Sequence, residues 1–135
     1  GLIRAMSLAL SDANLSPVDI NYINAHGTGT TVNDRIESLA ILKLFGKENN
    51  TYLASSTKSM HGHLIGASGA LELLPCILAL RKGVLAPTVN YQMYDAKCNI
   101  NLVTNEATDL NVLNTISNSF AFGGLNAVLV LKRFH

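Results

Sequence analysis

Val18-Asp-Ile-Asn-Tyr-Ile-Asn-Ala-His-Gly-Thr-Gly-Thr30 passes from an alternating apolar run into a loop of glycine and threonine. Val18, Ile20 and Tyr22 alternate, which predicts a strand reaching Asn24. His26-Gly-Thr-Gly-Thr30 is then a loop. Asn33 is the candidate cap of a following helix, with Asp34 and Glu37 in its favourable first turn. Ile36, Leu39, Ala40 and Leu44 give that helix a buried face, and Gly46 stops it. Strand, glycine-rich loop and helix in this order are the unit from which α/β sheets are built.

Outward from this unit the alternation continues. Upstream, Ile3, Met6, Leu10 and Ala13 recur at helical spacing, so Gly1–Leu15 reads as a helix. Asn14 can end it in a left-handed turn, and Pro17 forbids its continuation. Downstream, Tyr52-Leu-Ala54 is a short strand. A third helix is expected from near His63 to Gly83. Its opening, Gly66-Ala-Ser-Gly-Ala70, is built of small residues, and Glu72 is its sole charge before Arg81. Small residues allow close backbone approach, so this helix is expected to lie deep. Pro75 should kink it. Beyond Pro87 the pattern turns to strands: Ile100 and Leu102 alternate, and Asn114–Ser119 and Leu125–Leu131 flank the turn Phe120-Ala-Phe-Gly-Gly124. The expected architecture is a layered α/β fold with a mostly parallel mixed sheet and a buried helix. Such folds normally open on a strand, so the first strand is expected to be missing from this sequence.

Composition excludes several classes. The 135 residues are 48% hydrophobic and 14% charged, the opposite of a disordered chain. The net charge is +1 with no basic run, which gives nucleic acid nothing to hold. Leu110–Leu131 is uncharged and long enough to span a bilayer, but asparagines and glycines divide it into two strands and a turn, so no membrane span is expected. Cys76 and Cys98 form no staple framework and no zinc-type pair. No signal pattern is visible at the start, and a reduced cytoplasmic or organelle-matrix protein is expected.

Four histidines occur: His26, His61, His63 and His135. His26 follows a strand, where ligands of open parallel sheets bind. His61-Gly-His63 follows the next strand through Ser55-Ser-Thr-Lys-Ser-Met60 and opens the third helix. A neutral imidazole there donates a hydrogen bond to a developing oxyanion or enolate. Two strand-end loops thus bring a histidine each to one sheet edge. For each histidine alone, a hydrogen-bonded loop residue is the plain alternative. Three histidines can also hold zinc, but no carboxylate or cysteine stands at a supporting spacing, and no metal site is assigned. Lys58 is the candidate partner of Glu72, which a deep helix would bury, and the plain reading is a structural ion pair. Thr28 and Thr30 can bond the amides of an extended ligand or simply shape a turn. Phe120 and Phe122 can wall an apolar pocket or pack in the core. Neither cysteine has an activating base, and no serine sits in a nucleophile elbow. The chain offers oxyanion-type donors and a base, with no attacking group.

Three segments together resemble the C-terminal half of the elongating β-ketoacyl-[acyl-carrier-protein] synthases, the condensing enzymes of fatty-acid synthesis. They are Asn24-Ala-His-Gly-Thr-Gly-Thr30, Ser55-Ser-Thr-Lys-Ser-Met-His-Gly-His-Leu-Ile-Gly-Ala-Ser-Gly-Ala70 with Glu72, and Asn118-Ser-Phe-Ala-Phe-Gly-Gly124 with Asn126. The resemblance covers essentially the whole chain and implies a thiolase-like half-domain, with residues 1–135 a single, partial C-terminal domain. It implies a decarboxylative Claisen condensation of a malonyl-carrier thioester with an acyl group held on a cysteine. By position, His26 and His63 match the active-site histidines, and Lys58 the active-site lysine with Glu72 as its acidic partner. Thr28 and Thr30 match the threonines that meet the phosphopantetheine arm. Phe122 matches the gating phenylalanine and Phe120 its neighbour. The implied partners are acyl carrier protein, the half carrying the cysteine nucleophile, and a second copy in a homodimer; no separate cofactor is implied. His61 stands where these enzymes commonly carry threonine; a solvated loop residue is expected, and an added donor at the entrance is the alternative. Ala121 replaces a common glycine, and Pro75 is unusual. Two other readings stand beside this one: a non-catalytic companion resembling the chain-length factors, and a carrier-protein-binding module.

Overall fold

The computed structural model describes residues 1–46 and 51–134, so His135 lies outside the described residues. Helix α1 (Leu2–Asp12) buries Met6 and Leu10. Asn14 takes the expected left-handed conformation at φ +53°, and the Leu15 N–H closes the end on the Leu10 carbonyl. The strand expected from Val18 begins later. Pro17–Asp19 is a 3-10 turn, because the Asp19 carboxylate accepts both the backbone N–H and the hydroxyl of Ser16, at 2.8 and 2.6 Å. This capping box overrides the alternation and leaves Val18 exposed.

Strand β1 (Tyr22–Asn24) is fully buried. Helix α2 (Thr31–Phe45) starts at a Thr30 cap rather than at Asn33. The Asp34 N–H bonds the Thr30 carbonyl, while the Asn33 amide donates instead to the carboxylates of Asp34 and Glu37. Its buried face differs from the expected one. Glu37, Ser38, Ala40, Ile41 and Phe45 face inward, whereas Val32, Ile36 and Leu39 form an exposed stripe. The buried carboxylate of Glu37 rotates the face, for reasons the site makes clear.

Strand β2 (Leu53–Ser55) leads to the single turn α3 (Lys58–His61). The long helix expected from His63 is broken. A 3-10 turn at Ile65–Ala67 precedes α4 (Ser68–Leu71) and α5 (Leu73–Lys82). The break falls at Glu72, where ψ is −10°. Pro75 has no N–H to offer the Leu71 carbonyl one turn back, and its ring crowds that carbonyl. The expected buried helix is buried on one side, at Glu72, Cys76, Ala79 and Leu80, and exposed at Leu74, Ile77 and Leu78. Gly83 ends it in the left-handed conformation, as expected.

Strands β3 (Val84–Leu85) and β4 (Thr108–Asp109) form a small antiparallel pair. Ile100 and Leu102 make no strand; Leu102 contributes one isolated bridge, to Ala54. Strands β5 (Asn114–Phe120) and β6 (Asn126–Lys132) flank the expected turn. The main sheet has the order β2-β1-β5-β6. β1 runs parallel to both β2 and β5, with Tyr22 opposite Leu53 and Thr115, and β6 is antiparallel to β5. Adjacent residues of β1 serve opposite faces. Ile23 joins Met6, Leu10, Ile41 and Phe45 from α1 and α2, while Tyr22 joins Cys76, Ala79 and Leu80 from α5. Helices therefore cover both faces of a mostly parallel sheet. The carboxyl ends of β1, β2 and β5 lie side by side. Among the described residues, no helix is long and apolar enough to cross a membrane.

Candidate active site

His26 leaves β1 at the sheet's carboxyl edge and is 7% exposed. Its backbone is held from beneath. The Glu37 carboxylate accepts the N–H groups of His26 and Gly27 at 2.9 and 2.8 Å. The same carboxylate accepts the Asn118 amide of β5 at 3.1 Å and the Asn33 amide at 3.4 Å. Burial raises the pKa of Glu37 above its usual range, and these donors oppose the rise. Sequence reading placed Glu37 as a first-turn dipole partner and missed this anchor. Its signal was a charge within the apolar face that continues through Ala40, Ile41 and Leu44. Gly27 has φ +40°, and a Cβ there would lie 2.5 Å from the Cβ of Ser56. The loop thus needs glycine both for its turn and for the close approach of Ser56, whose hydroxyl donates to the Gly27 carbonyl at 2.6 Å.

His63 sits in the turn between α3 and α4, and the structure brings it to His26. The two rings lie edge to face, with centroids 5.5 Å apart. Phe120, at the end of β5, packs against the His26 ring at 5.9 Å. His63 Nδ1 lies 3.1 Å from the Ile65 N–H and 3.0 Å from the Ser68 hydroxyl. A backbone N–H can only donate, so Nδ1 accepts and the proton of the neutral ring sits on Nε2. Ser68 Oγ in turn accepts the Leu64 N–H at 2.9 Å. Ile65 has φ +51°, a costly conformation for a β-branched residue.

Lys58 and Glu72 form the expected ion pair, with side chains 5% and 1% exposed. Asn24 ties this pair to β1 by donating to the Glu72 carbonyl at 2.8 Å. Burial, the Lys58 charge and His63 lower the pKa of His26 to about 4. His26 is therefore neutral near pH 7. Its Nδ1 has no hydrogen-bond partner among the described residues.

Thr28 is half-buried and Thr30 exposed, and their hydroxyls bond each other at 2.9 Å. With Lys58, Ser59 and His63 they line a cleft of about 660 Å³. A larger cleft, about 1130 Å³, lies at Arg81, Lys132 and Phe134 and contains none of these residues. Phe122 is not brought in. It is fully exposed, in a turn where Gly123 and Gly124 have φ +75° and +79°. His61, expected to be solvated, is half-buried and bonded on both ring nitrogens. Burial pushes the Cys76 thiol up to about 12 and raises that of Cys98, which fits neither as a nucleophile. Among the described residues, no three histidine, cysteine or carboxylate side chains converge as a metal site would require.

A parallel-centred sheet with helices on both faces and a histidine loop at the carboxyl end of two adjacent strands is the architecture of a thiolase-like ketosynthase half. The chain belongs to the β-ketoacyl synthase family: residues 1–92 match the model of the "Beta-ketoacyl synthase, C-terminal domain". Nodulation protein E of Rhizobium sp. (strain N33) is 46% identical over 129 residues, 96% of this chain and 32% of that protein. The 3-oxoacyl-[acyl-carrier-protein] synthase 2 of Staphylococcus aureus (strain COL) is 46% identical over 131 residues, 97% of this chain and 32% of its own length. The solved ishigamide ketosynthase/chain length factor superposes with a TM-score of 0.94 at 41% identity, covering 100% of this chain and 33% of that one. The chain spans about a third of the length of the curated relatives it matches.

Proposed function

We propose that these residues are the C-terminal part of a β-ketoacyl-[acyl-carrier-protein] synthase, a single partial domain that completes its site with a half carrying the cysteine. The reaction is chain elongation. Malonyl thioester on the phosphopantetheine arm of acyl carrier protein loses carbon dioxide, and the enolate attacks an acyl thioester held on that cysteine. The C–C bond forms as the C–S bond to cysteine breaks, and the thiolate leaves. A synthase of this kind takes its substrates on the carrier's arm and draws on no separate cofactor. The carrier protein and a second copy of the complete enzyme are its partners, in a soluble cytoplasmic or matrix setting.

The observation that carries this reading is the meeting of two histidine rings at one sheet edge, with centroids 5.5 Å apart. The hydrogen bonds at His63 Nδ1 leave Nε2–H as a donor, and His26 stays uncharged beside it. Two imidazole N–H groups aimed at one place suit the oxygen of a thioester as it becomes an enolate, since each can stabilise the developing charge. Burial, helped by the Lys58 charge, keeps His26 uncharged, and Glu72 compensates the buried ammonium. Thr28 and Thr30 offer hydroxyls to the amides of the arm, Phe120 backs the His26 ring, and Phe122 stands as a gate on its glycine turn. A chain-length-factor-like companion or a plain carrier-binding module has no need of this electrostatic arrangement.

The test is malonyl decarboxylation by the complete enzyme. His26→Ala and His63→Ala should each abolish it, and near-normal rates in either variant would refute that residue's role. The present chain, supplied with acyl and malonyl carrier proteins, should form no β-ketoacyl product. Saturable carrier binding by the complete protein without turnover would favour the binding-module reading.

A further inference from the structure

We infer that His61 is a positioning residue for His63, clasping the turn that carries the second histidine away from α3. The inference rests on the functional reading above. Helix α3 has four residues and ends at Gly62, which has φ +79° and ψ 179°. A glycine in such a turn gives the chain the greatest freedom just where His63 must be held. The His61 ring removes that freedom. Its Nδ1 lies 2.8 Å from the Gly62 carbonyl oxygen, and its Nε2 lies 3.2 Å from Thr57 Oγ1.

A carbonyl oxygen only accepts, so Nδ1 carries a proton and donates it to Gly62, while Nε2 shares a hydrogen bond with the Thr57 hydroxyl. Thr57 is buried, immediately before Lys58, and its hydroxyl donates to Asn24 Oδ1 at 3.4 Å. The Gly62 carbonyl belongs to the peptide whose N–H is that of His63. One ring therefore ties the residue before Lys58 to the peptide plane that enters His63. On the far side, the Ser68 hydroxyl holds His63 Nδ1. His63 is thus fixed at its backbone by His61 and at its ring by α4.

The experiment measures malonyl decarboxylation and acyl loading of the cysteine separately, in the complete enzyme. His61→Ala should lower the decarboxylation kcat about tenfold, as expected when a reacting group loses its fixed placement. KM should stay within about twofold and acyl loading should be unchanged, since ground-state binding is not touched. His61→Asn keeps a donor near the Nδ1 position and should restore most of the rate, whereas His61→Gln should restore less. Wild-type turnover in His61→Ala, no rescue by asparagine, or an equal fall in acyl loading would each overturn the proposal. Nitrogen-15 spectra of the histidine rings in the wild-type enzyme supply a readout independent of turnover. A proton on His61 Nδ1 supports the clasp, and a ring protonated at Nε2 alone overturns it. Should the wild-type enzyme decarboxylate nothing, the functional reading falls, and the ring tautomer still decides the clasp.

Discussion

Glu37 holds His26 by its backbone rather than its ring: the carboxylate of α2 accepts the histidine's N–H at 2.9 Å and that of Gly27 at 2.8 Å. Asn118 of β5 donates to the same group, so one buried carboxylate joins a helix, a loop and the central sheet. Glutamine at this position offers one acceptor where two backbone donors need two, and it turns an NH2 toward a donor. Glu37→Gln should therefore lower the unfolding free energy by about 1–3 kcal/mol, the cost of leaving a buried donor unmet. Chemical denaturation measures this. An unchanged midpoint with an unchanged slope would show that the loop holds without the anchor.

His26 makes stability depend on pH with a definite sign. Burial, Lys58 and His63 lower its pKa from the ordinary 6.5 to about 4. Between these values the unfolded chain binds more proton than the folded one, so unfolding free energy falls as pH drops from 6.5 toward 4 and is level above that window. Glu37 works in the opposite sense. Its raised pKa favours the fold fully below the ordinary 4.5, and this contribution is lost as pH rises through the raised value. The difference between wild type and His26→Gln isolates the histidine. That difference should turn against the wild type as pH falls through 6.5 to 4, in urea titrations at matched ionic strength. A flat difference would mean that His26 titrates normally in the fold.

Several features were legible because local chemistry and tertiary need agree. The β5–β6 hairpin, the Gly83 stop and the Lys58–Glu72 pair follow from alternation, a left-handed cap and the rule that buried charges are paired. Features that failed are those set by partners distant in the chain. The α2 face was misjudged at Ile36 and Leu39 because hydrophobicity was weighed and the carboxylate at Glu37 was not. His61 looked solvated because its ring partners, Thr57 and Gly62, have no sequence signature. The continuous helix from His63 failed at two places: Ile65 is not α-helical, with φ +51°, and Pro75 acts one turn upstream, at Leu71, and ends the segment instead of bending it.

The Lys58–Glu72 pair predicts strong non-additivity. Both side chains are nearly inaccessible, and Glu72 Oε2 has no partner among the described residues. Removing one member strands a buried charge, so Glu72→Leu or Lys58→Met alone should cost about 3–5 kcal/mol. The double variant Lys58→Met/Glu72→Leu should cost far less than the sum, because no unpaired charge remains. Removing Lys58 also takes away a charge that holds the His26 pKa down. Histidine titration by NMR in the double variant should place His26 higher than in wild type. Additive losses in the double-mutant cycle would show that the two groups do not depend on each other.

Phe120 and Phe122 are two residues apart and should separate stability from function. Phe120 is 8% exposed and packs on the His26 ring. Phe122 is fully exposed and precedes two glycines in left-handed conformations. Truncating the first opens a cavity beneath a site residue, so Phe120→Ala should cost about 3–5 kcal/mol. Truncating the second removes no packed surface, so Phe122→Ala should change unfolding free energy by less than about 0.5 kcal/mol. In the complete enzyme, a gating role for Phe122 then appears as a loss of condensation in a protein of unchanged stability. Normal condensation in Phe122→Ala would leave that ring without a part in the reaction. A stability loss there would mean that the turn packs against something in solution, and the gate would have to be sought elsewhere.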